Sequence, residues 1–429
     1  MDPAPRERLR ALFDAAVAAV AAERVVPPAL PTAPPAGRTV VIGAGKAAGA
    51  MARALERHWP APLNGLVVTP YGHGVTCERV TCVQASHPLP DGAGADTARR
   101  LLDLVGGLTA DDLVLALVSG GASSLLALPA AGLDAADERA MGAALLRSAA
   151  PIADINRVRK HLSAIKGGRL AAAAWPARVV TLLVSDVPGD DPATIGSGPT
   201  VADPSTYAQA LEALERWQVA APPRVLAHLR AGAAGGPGAP DETPKPGDPR
   251  LARASSVVVA TAADALRAAA DAARGLGLRP IVLGDRIEGE AREVGLRHAQ
   301  HAIDLLAWSA PGEPAVLLSG GETTVTMRGR GTGGRNTEYL AGLALGLEGR
   351  AGVHALAADT DGIDGAGGHA GAFVGPDTLV RAATVGLDLG AALRDNDTGA
   401  LFARLGDLLV TGPTLTNVND FRAILVEPA

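Results

Sequence analysis

The stretch TVVIGAGKAAGAMARALE, residues 39–56, decides the fold. A run of β-branched residues ends in a glycine turn and passes at once into an Ala/Leu helix, the strand–turn–helix unit of an α/β protein. Working outward, the same plan recurs in GLVVTP (from Gly65), DLVLALVSGG (from Asp112) and RVVTLLVSD (from Arg178). SVVVAT (from Ser256), RPIVLGD (from Arg279), PAVLLSGG (from Pro314) and GVHALAADTDG (from Gly352) repeat it later in the chain. Helical patterns such as 47–57, 92–105 and 262–276 separate these runs. Continuous Val/Ile/Leu strands alternating with helices predict an α/β fold built mainly on parallel sheet. In such sheets ligands sit beyond the carboxyl ends of the strands, so the residues just after each run are the candidates for chemistry.

A chain of 429 residues exceeds one hydrophobic core, and the Gly/Pro-rich stretch 231–250 is the natural divide. The expected domains are 1–240 and 251–429. With 48% hydrophobic and 20% charged residues the chain has the composition of a globular protein, and its net charge of −6 argues against nucleic acid as a partner. The first residues mimic a signal peptide, but Asp14 interrupts the alanine run, and an amphipathic helix is expected instead. No membrane partner is expected. Two cysteines, Cys77 and Cys82, make no disulfide framework or zinc knuckle, which suggests a reducing, cytoplasmic setting. Only four of the 39 basic residues are lysines (46, 160, 166 and 245), so each lysine invites a functional reading.

In the opening stretch Gly43, Gly45 and Ala48 loosely satisfy the dinucleotide fingerprint, which also needs a ribose-binding acid at the end of the second strand. GLVVTPYGHG ends without one, which counts against NAD. Lys46, at a helix start beside two glycines, is a candidate for binding an anion. Ser119-Gly120-Gly121, followed by Ser123, and Ser319-Gly320-Gly321 form two similar Ser-Gly-Gly segments, each a candidate phosphate turn. His87, between a strand and a helix, and Lys166, in a basic helical run, are further site candidates. Asp186 follows a buried strand and suits orientation or deprotonation of a hydroxyl; Asp190 beside it, and Asp361 and Asp364 on a glycine loop, suit magnesium or a substrate hydroxyl. An EF-hand is excluded at 359–370, where Asp364 replaces the sixth-position glycine and Ala370 the final glutamate. In GRGTGGRNTEYLAG (329–342), Gly333 and Gly334 precede Arg335 and Asn336 at a helix start, where glycines could let the loop close on an anion and the guanidinium supply paired donors. Cations for phosphates and carboxylates for a metal suit phosphoryl transfer.

Ten segments in order resemble the glycerate 2-kinase family whose C-terminal part is called MOFRL: GAGKAA (43–48), SHPLPD (86–91), SGGASS (119–124), NRVRKHLSAIKGGRLA (156–171), SDVPGDDPATIGSGPT (185–200), ETPKPGD (242–248), LSGGETTV (318–325), GTGGRNTE (331–338), DTDGIDG (359–365) and TGPTLTNVNDF (411–421). The resemblance covers nearly the whole chain. It implies a Rossmann-like domain, a second α/β domain with the MOFRL region at about 312–420, and an active site in the cleft between them. It also implies phosphorylation of D-glycerate to 2-phosphoglycerate with ATP and Mg²⁺, with Lys46 and Arg335 tied most closely to catalysis. Two departures stand out, Thr337 where the family usually has Gln and Asp359 where it has Gly; the segment VVVATAAD also lacks the family's Ser-Asn. An NAD(P)H-dependent hydroxypyruvate reductase and a non-catalytic sugar-acid binding protein are the competing readings, and a homodimer is left open.

Overall fold

The computed structural model describes residues 3–148 and 150–428. The chain forms two compact units: residues 25–259, and residues 260–429 together with 1–24.

In the first unit, β1 (Thr39–Ala44), β2 (Leu63–Pro70), β3 (Val80–Ala85), β4 (Leu113–Val118), β5 (Arg178–Val184) and β6 (Ala254–Ala260) form one sheet in the order β3-β2-β1-β4-β5-β6. Strands β1 to β5 pair in parallel. This is the doubly wound order, with its switch point between β1 and β4, where the crossovers leave in opposite directions. Both strands are buried throughout, as their unbroken apolar runs require. Helices 92–105 and 169–173 cover the sheet, and a separate helical core joins Met141, Leu145, Val158, Tyr207, Leu214 and Leu229.

The division between units falls after the Gly/Pro-rich stretch, not inside it. Part of that stretch is pinned to the first unit: His161 Nε2 lies 2.9 Å from Glu242 Oε1, and Thr243 Oγ1 donates to Asp203 at 3.0 Å. β6 then completes the first sheet before the chain leaves it.

The second unit contains β7 (Arg279–Gly284), β8 (Gly289–Glu290), β9 (Ala315–Gly321), β10 (Thr323–Thr324), β11 (Val353–Asp359), β12 (Gly371–Val374), β13 (Leu408–Leu409) and β14 (Asp420–Val426). Six of them form a sheet in the order β13-β12-β11-β14-β9-β7, and β8 pairs with β10. The expected parallel sheet is that of the first unit; this second sheet is mainly antiparallel. Within the six-stranded sheet only β7 and β9 pair in parallel, while β14 inserts antiparallel between β9 and β11. The link from β11 to β12 holds no helix, and a parallel return needs a crossover, so β12 runs back antiparallel.

Residues 3–19 form the expected amphipathic helix, and it packs on this second unit. Leu9, Leu12, Phe13, Ala16 and Val20 are fully buried; Phe13 meets the Phe421 ring edge-on at 5.8 Å. Burying such side chains contributes roughly 1.5–3 kcal/mol each for the larger ones. No helix among the described residues is long and apolar enough to cross a membrane.

Candidate active site

The carboxyl ends of the first sheet gather the polar residues of the first unit. Lys46 follows β1, His73 follows β2, His87 follows β3, Ser119–Gly121 follow β4, and Ser185 and Asp186 follow β5. At the switch point the turns after β1 and β4 interlock. Lys46 N donates to Gly120 O at 2.9 Å and Ala47 N to Ser119 Oγ at 3.0 Å. Gly45 has φ of 129°, and a Cβ there would stand 2.2 Å from Ser119 Oγ, so only glycine fits.

This interlock alters the expected chemistry of the turn. Gly45 N donates to Val68 O and Ala48 N to Gly45 O, so the N–H groups of residues 45–48 all have partners inside the protein. A dinucleotide fold leaves such groups for a pyrophosphate. Here Ser119 and Gly120 fill that cradle, and the anion-attracting group of the turn is the Lys46 ammonium.

Gly121 shows how closely the neighbours converge. A Cβ on it would lie 3.1 Å from His87 Nε2 and 3.6 Å from Lys46 Cγ. Burial, Lys46 and His73 push the His87 imidazole down to about 4. Burial and Lys46 also lower His73, against the hydrogen bond to Tyr71 O. Both rings are therefore neutral near pH 7, beside a charged lysine. His73 escaped the sequence reading; its signal was its place just after β2, where dinucleotide folds carry their ribose acid.

Other candidates take structural partners. Ser123 Oγ is 2.7 Å from Ser197 Oγ, which in turn donates to Asn156. Lys166 is shut from solvent with its ammonium on Glu138 at 3.2 Å, and burial lowers its pKa. Lys160 and Lys245 likewise end on Asp203 and Glu242. Scarcity of lysine therefore marks ion pairs as readily as function. Asp190 adopts φ of 57° in the turn after Asp186, and Asp191 is engaged by Ala193 N and Thr194 Oγ1.

In the second unit Arg335 is the hub. Its Nη1 meets Glu322 Oε1 at 2.5 Å; its Nη2 meets Asp359 Oδ2 at 2.6 Å and Asp420 Oδ1 at 3.4 Å. Against the cost of burial, Asp420, Asp359 and Glu322 hold the guanidinium firmly charged. Asp420 is fixed from behind by Asn336 Nδ2 at 2.9 Å, by Thr323 N and Oγ1 at 3.2 Å, and by the buried Arg422 at 2.5 Å. Despite burial, Arg335 and Arg422 keep Asp420 below the usual carboxylate range.

The helix start beside Arg335 departs from expectation. Asp364 Oδ1 accepts from Asn336 N and Oδ2 from Thr337 N, each at 3.0 Å, so this carboxylate already caps helix 335–347. Asp364 is thereby withdrawn as a magnesium ligand: both oxygens are engaged and the side chain is buried, which pushes its pKa up. Gly334 makes this possible, because a Cβ there would sit 2.1 Å from Asp364 Cγ. Gly329 and Gly331 pack against the backbone of Asp395 and Asp397, and Gly333 against Thr398. The close approaches these glycines permit are to the protein's own backbone and side chains. Asp361 is likewise buried, with Oδ1 accepting from Ile363 N at 2.8 Å.

The two Ser-Gly-Gly segments also differ. Ser119–Gly121 form a turn into a helix, whereas Ser319–Gly321 remain in β9, paired with Arg422–Asp420. The approach to Gly321 is occupied by Ile287, whose N lies 2.2 Å from a Cβ built there. Among the described residues no three His, Cys, Asp or Glu side chains are grouped to hold a metal ion, so an all-protein magnesium cage does not fit. Of the two family departures, Asp359 enters the Arg335 cluster, whereas Thr337 caps the helix start through Gly334 and Asp364; Glu322 and Asp420 were missed because only the fold brings them there.

Residues 8–230 match the model of a domain of unknown function, DUF4147, and residues 315–420 match the MOFRL family. A protein of Agrobacterium vitis named "Putative hydroxypyruvate reductase" is 49% identical over 99% of this chain and 95% of its own. The D-glycerate 2-kinase of Thermotoga maritima is 37% identical over 89% of each chain. The crystal structure of a glycerate kinase from Thermotoga maritima superimposes with a TM-score of 0.85 at 36% identity, covering 98% of this chain and 99% of that one.

Proposed function

Since the chain belongs to the glycerate 2-kinase family, we propose that it transfers the γ-phosphoryl group of ATP to O2 of D-glycerate, yielding 2-phospho-D-glycerate. It is an enzyme of the phosphotransferase class. The observation that carries the reading is the interlocked turn at the switch point. It leaves Lys46 as the cation there, with two neutral imidazoles beside it and Asp186 two strands away. Phosphoryl transfer asks chiefly for positioned positive charge, the part we assign to Lys46 and to Arg335.

The reductase reading draws support from the name of the Agrobacterium relative. The chemistry of the turn argues the other way. Its N–H groups are engaged and β2 ends without the ribose carboxylate, so a nicotinamide dinucleotide would find neither of its usual holds. With ATP and D-glycerate the pure protein should release ADP and a product whose phosphorus couples to the C2 proton in NMR. NADH or NADPH with hydroxypyruvate should give no turnover. Reduction without ATP consumption would reverse the assignment.

Magnesium would arrive with the nucleotide, held mainly by phosphate oxygens whose charge it neutralises, and Asp190 is the carboxylate we assign beside it. Asp186 would orient or deprotonate the glycerate hydroxyl, because the end of a buried strand holds a side chain rigidly. Asp186→Asn should lower kcat by roughly 10²-fold, the lower end of the range for general acid–base groups, because the transition state is loose. An unchanged kcat and magnesium requirement would reject both roles for Asp186.

A further inference from the structure

The three carboxylates around Arg335 are not equivalent. The side chains of Asp359 and Asp420 are 4% and 0% exposed, and each accepts further hydrogen bonds from the protein, Asp359 from Asp361 N and Asp420 from Asn336, Thr323 and Arg422. Both lie on Nη2. Glu322 lies on Nη1, its side chain is 47% exposed, and among the described residues Arg335 is its hydrogen-bond partner. The fork is thus anchored on its buried edge and loosely held on its open one. Three carboxylates against Arg335 and Arg422 also give the cluster an excess of negative charge, and partial burial, with Asp420 and Asp359, raises the pKa of Glu322 against the pull of Arg335.

We propose that Glu322 competes with an anionic oxygen of the reactants for the Nη1 edge of Arg335, and so sets how tightly the site takes that anion. This rests on the reading of Arg335 as an anion-binding residue of the kinase. A guanidinium reaches a carboxylate or phosphate best with two parallel N–H donors, and its end-on pair consists of Nη1 and Nη2. The Glu322 carboxylate has to yield Nη1 before an end-on bidentate contact can form. Its exposure makes the exchange cheap, because a solvated carboxylate regains water when it swings away. The anion is either the carboxylate of glycerate or a phosphate oxygen of ATP; the shared chemistry is an oxyanion with two oxygens to offer.

Glu322→Gln keeps the shape and removes the competing charge. Its kcat/KM should rise about two- to fivefold, the upper part of the range expected for a half-exposed charged pair. A fall in the KM for D-glycerate alone would identify the carboxylate, a fall in the KM for ATP the phosphate, and a rise in kcat a contact made only in the transition state. Glu322→Ala should show the same gain, and in an Arg335→Ala background Glu322→Gln should show none, because nothing is left to compete for. A role confined to folding would not produce a gain that vanishes with Arg335. If Arg335→Ala is crippled while Glu322→Gln leaves kcat/KM unchanged or lowers it, this inference falls and the kinase reading stands. If Arg335→Ala is as active as the parent, the assigned role of Arg335 falls and takes this inference with it.

Discussion

Lys46→Ala is expected to lower kcat by roughly 10²–10³-fold, the loss that follows removal of one positioned electrostatic stabiliser. The expectation rests on where the ammonium stands. It follows β1 at the switch point, on a turn whose backbone N–H groups are held by Val68, Ser119, Gly120 and Gly45. No backbone donor of that turn can substitute for it. The same bonds keep the turn in place without the side chain, since they run through the backbone and Ser119, and the thermal midpoint should stay within a few degrees of the parent. Arginine should restore little, because its planar head is larger and its donors point differently from those of an ammonium. Steady-state kinetics with ATP and D-glycerate, paired with a circular-dichroism melt, tests both halves. Near-parental turnover in a folded Lys46→Ala protein would refute the assignment.

Arg335→Ala should lower kcat by roughly 10²-fold or more, the low end of what positioned arginines supply in phosphoryl transfer. A second loss accompanies it. Asp359 and Asp420 are buried, and without the guanidinium each has one partner fewer. Leaving a buried charged acceptor without its donor costs about 1–3 kcal/mol, so the melt should shift downward as well. Turnover must therefore be measured well below the new midpoint. Arg335→Lys separates the two effects: a lysine can neutralise the carboxylates, restoring stability, but a point charge cannot copy the fork, so activity should return only in part. Arg330 is the control, since it is exposed and its recorded bond, to Asp395, uses the backbone N. If Arg330→Ala harmed turnover more than Arg335→Ala, the anion site would lie elsewhere in the loop.

What could be read in advance depended on whether a residue's meaning was local. The unbroken apolar runs of β1, β4 and β5 announce buried parallel strands, and each strand end marks a position for chemistry, so Lys46, His87, Ser119 and Asp186 could be singled out. β14 could not, because DFRAILV carries Asp420 and Arg422 inside it. Residues two apart share a face of a strand. There the two charges pair with each other, which is how they come to sit in a buried strand. Glu322, Asp359 and Asp420 acquire their role only by tertiary convergence on Arg335. The glycines of 329–334 misled for the same reason: glycine signals a close approach, and only the fold reveals that the approaching group is Asp364 and the turn 395–397.

Helix 3–19 belongs with a unit whose remaining residues begin at 260, and this bears on the order in which a ribosome makes the parts. The helix emerges well before its partner strand β14, which ends at Val426, and before its salt-bridge partner Glu427, which follows at once. At about 5–20 residues per second, the apolar face of Leu9, Leu12, Phe13 and Val20 waits on the order of 20–80 seconds for the surface that covers it. Residues 25–259 have all of their own sheet before that wait is over. The nascent chain therefore passes through an interval in which a complete domain hangs from an uncovered amphipathic helix, the kind of surface that a chaperone or a neighbouring chain on the same message can engage.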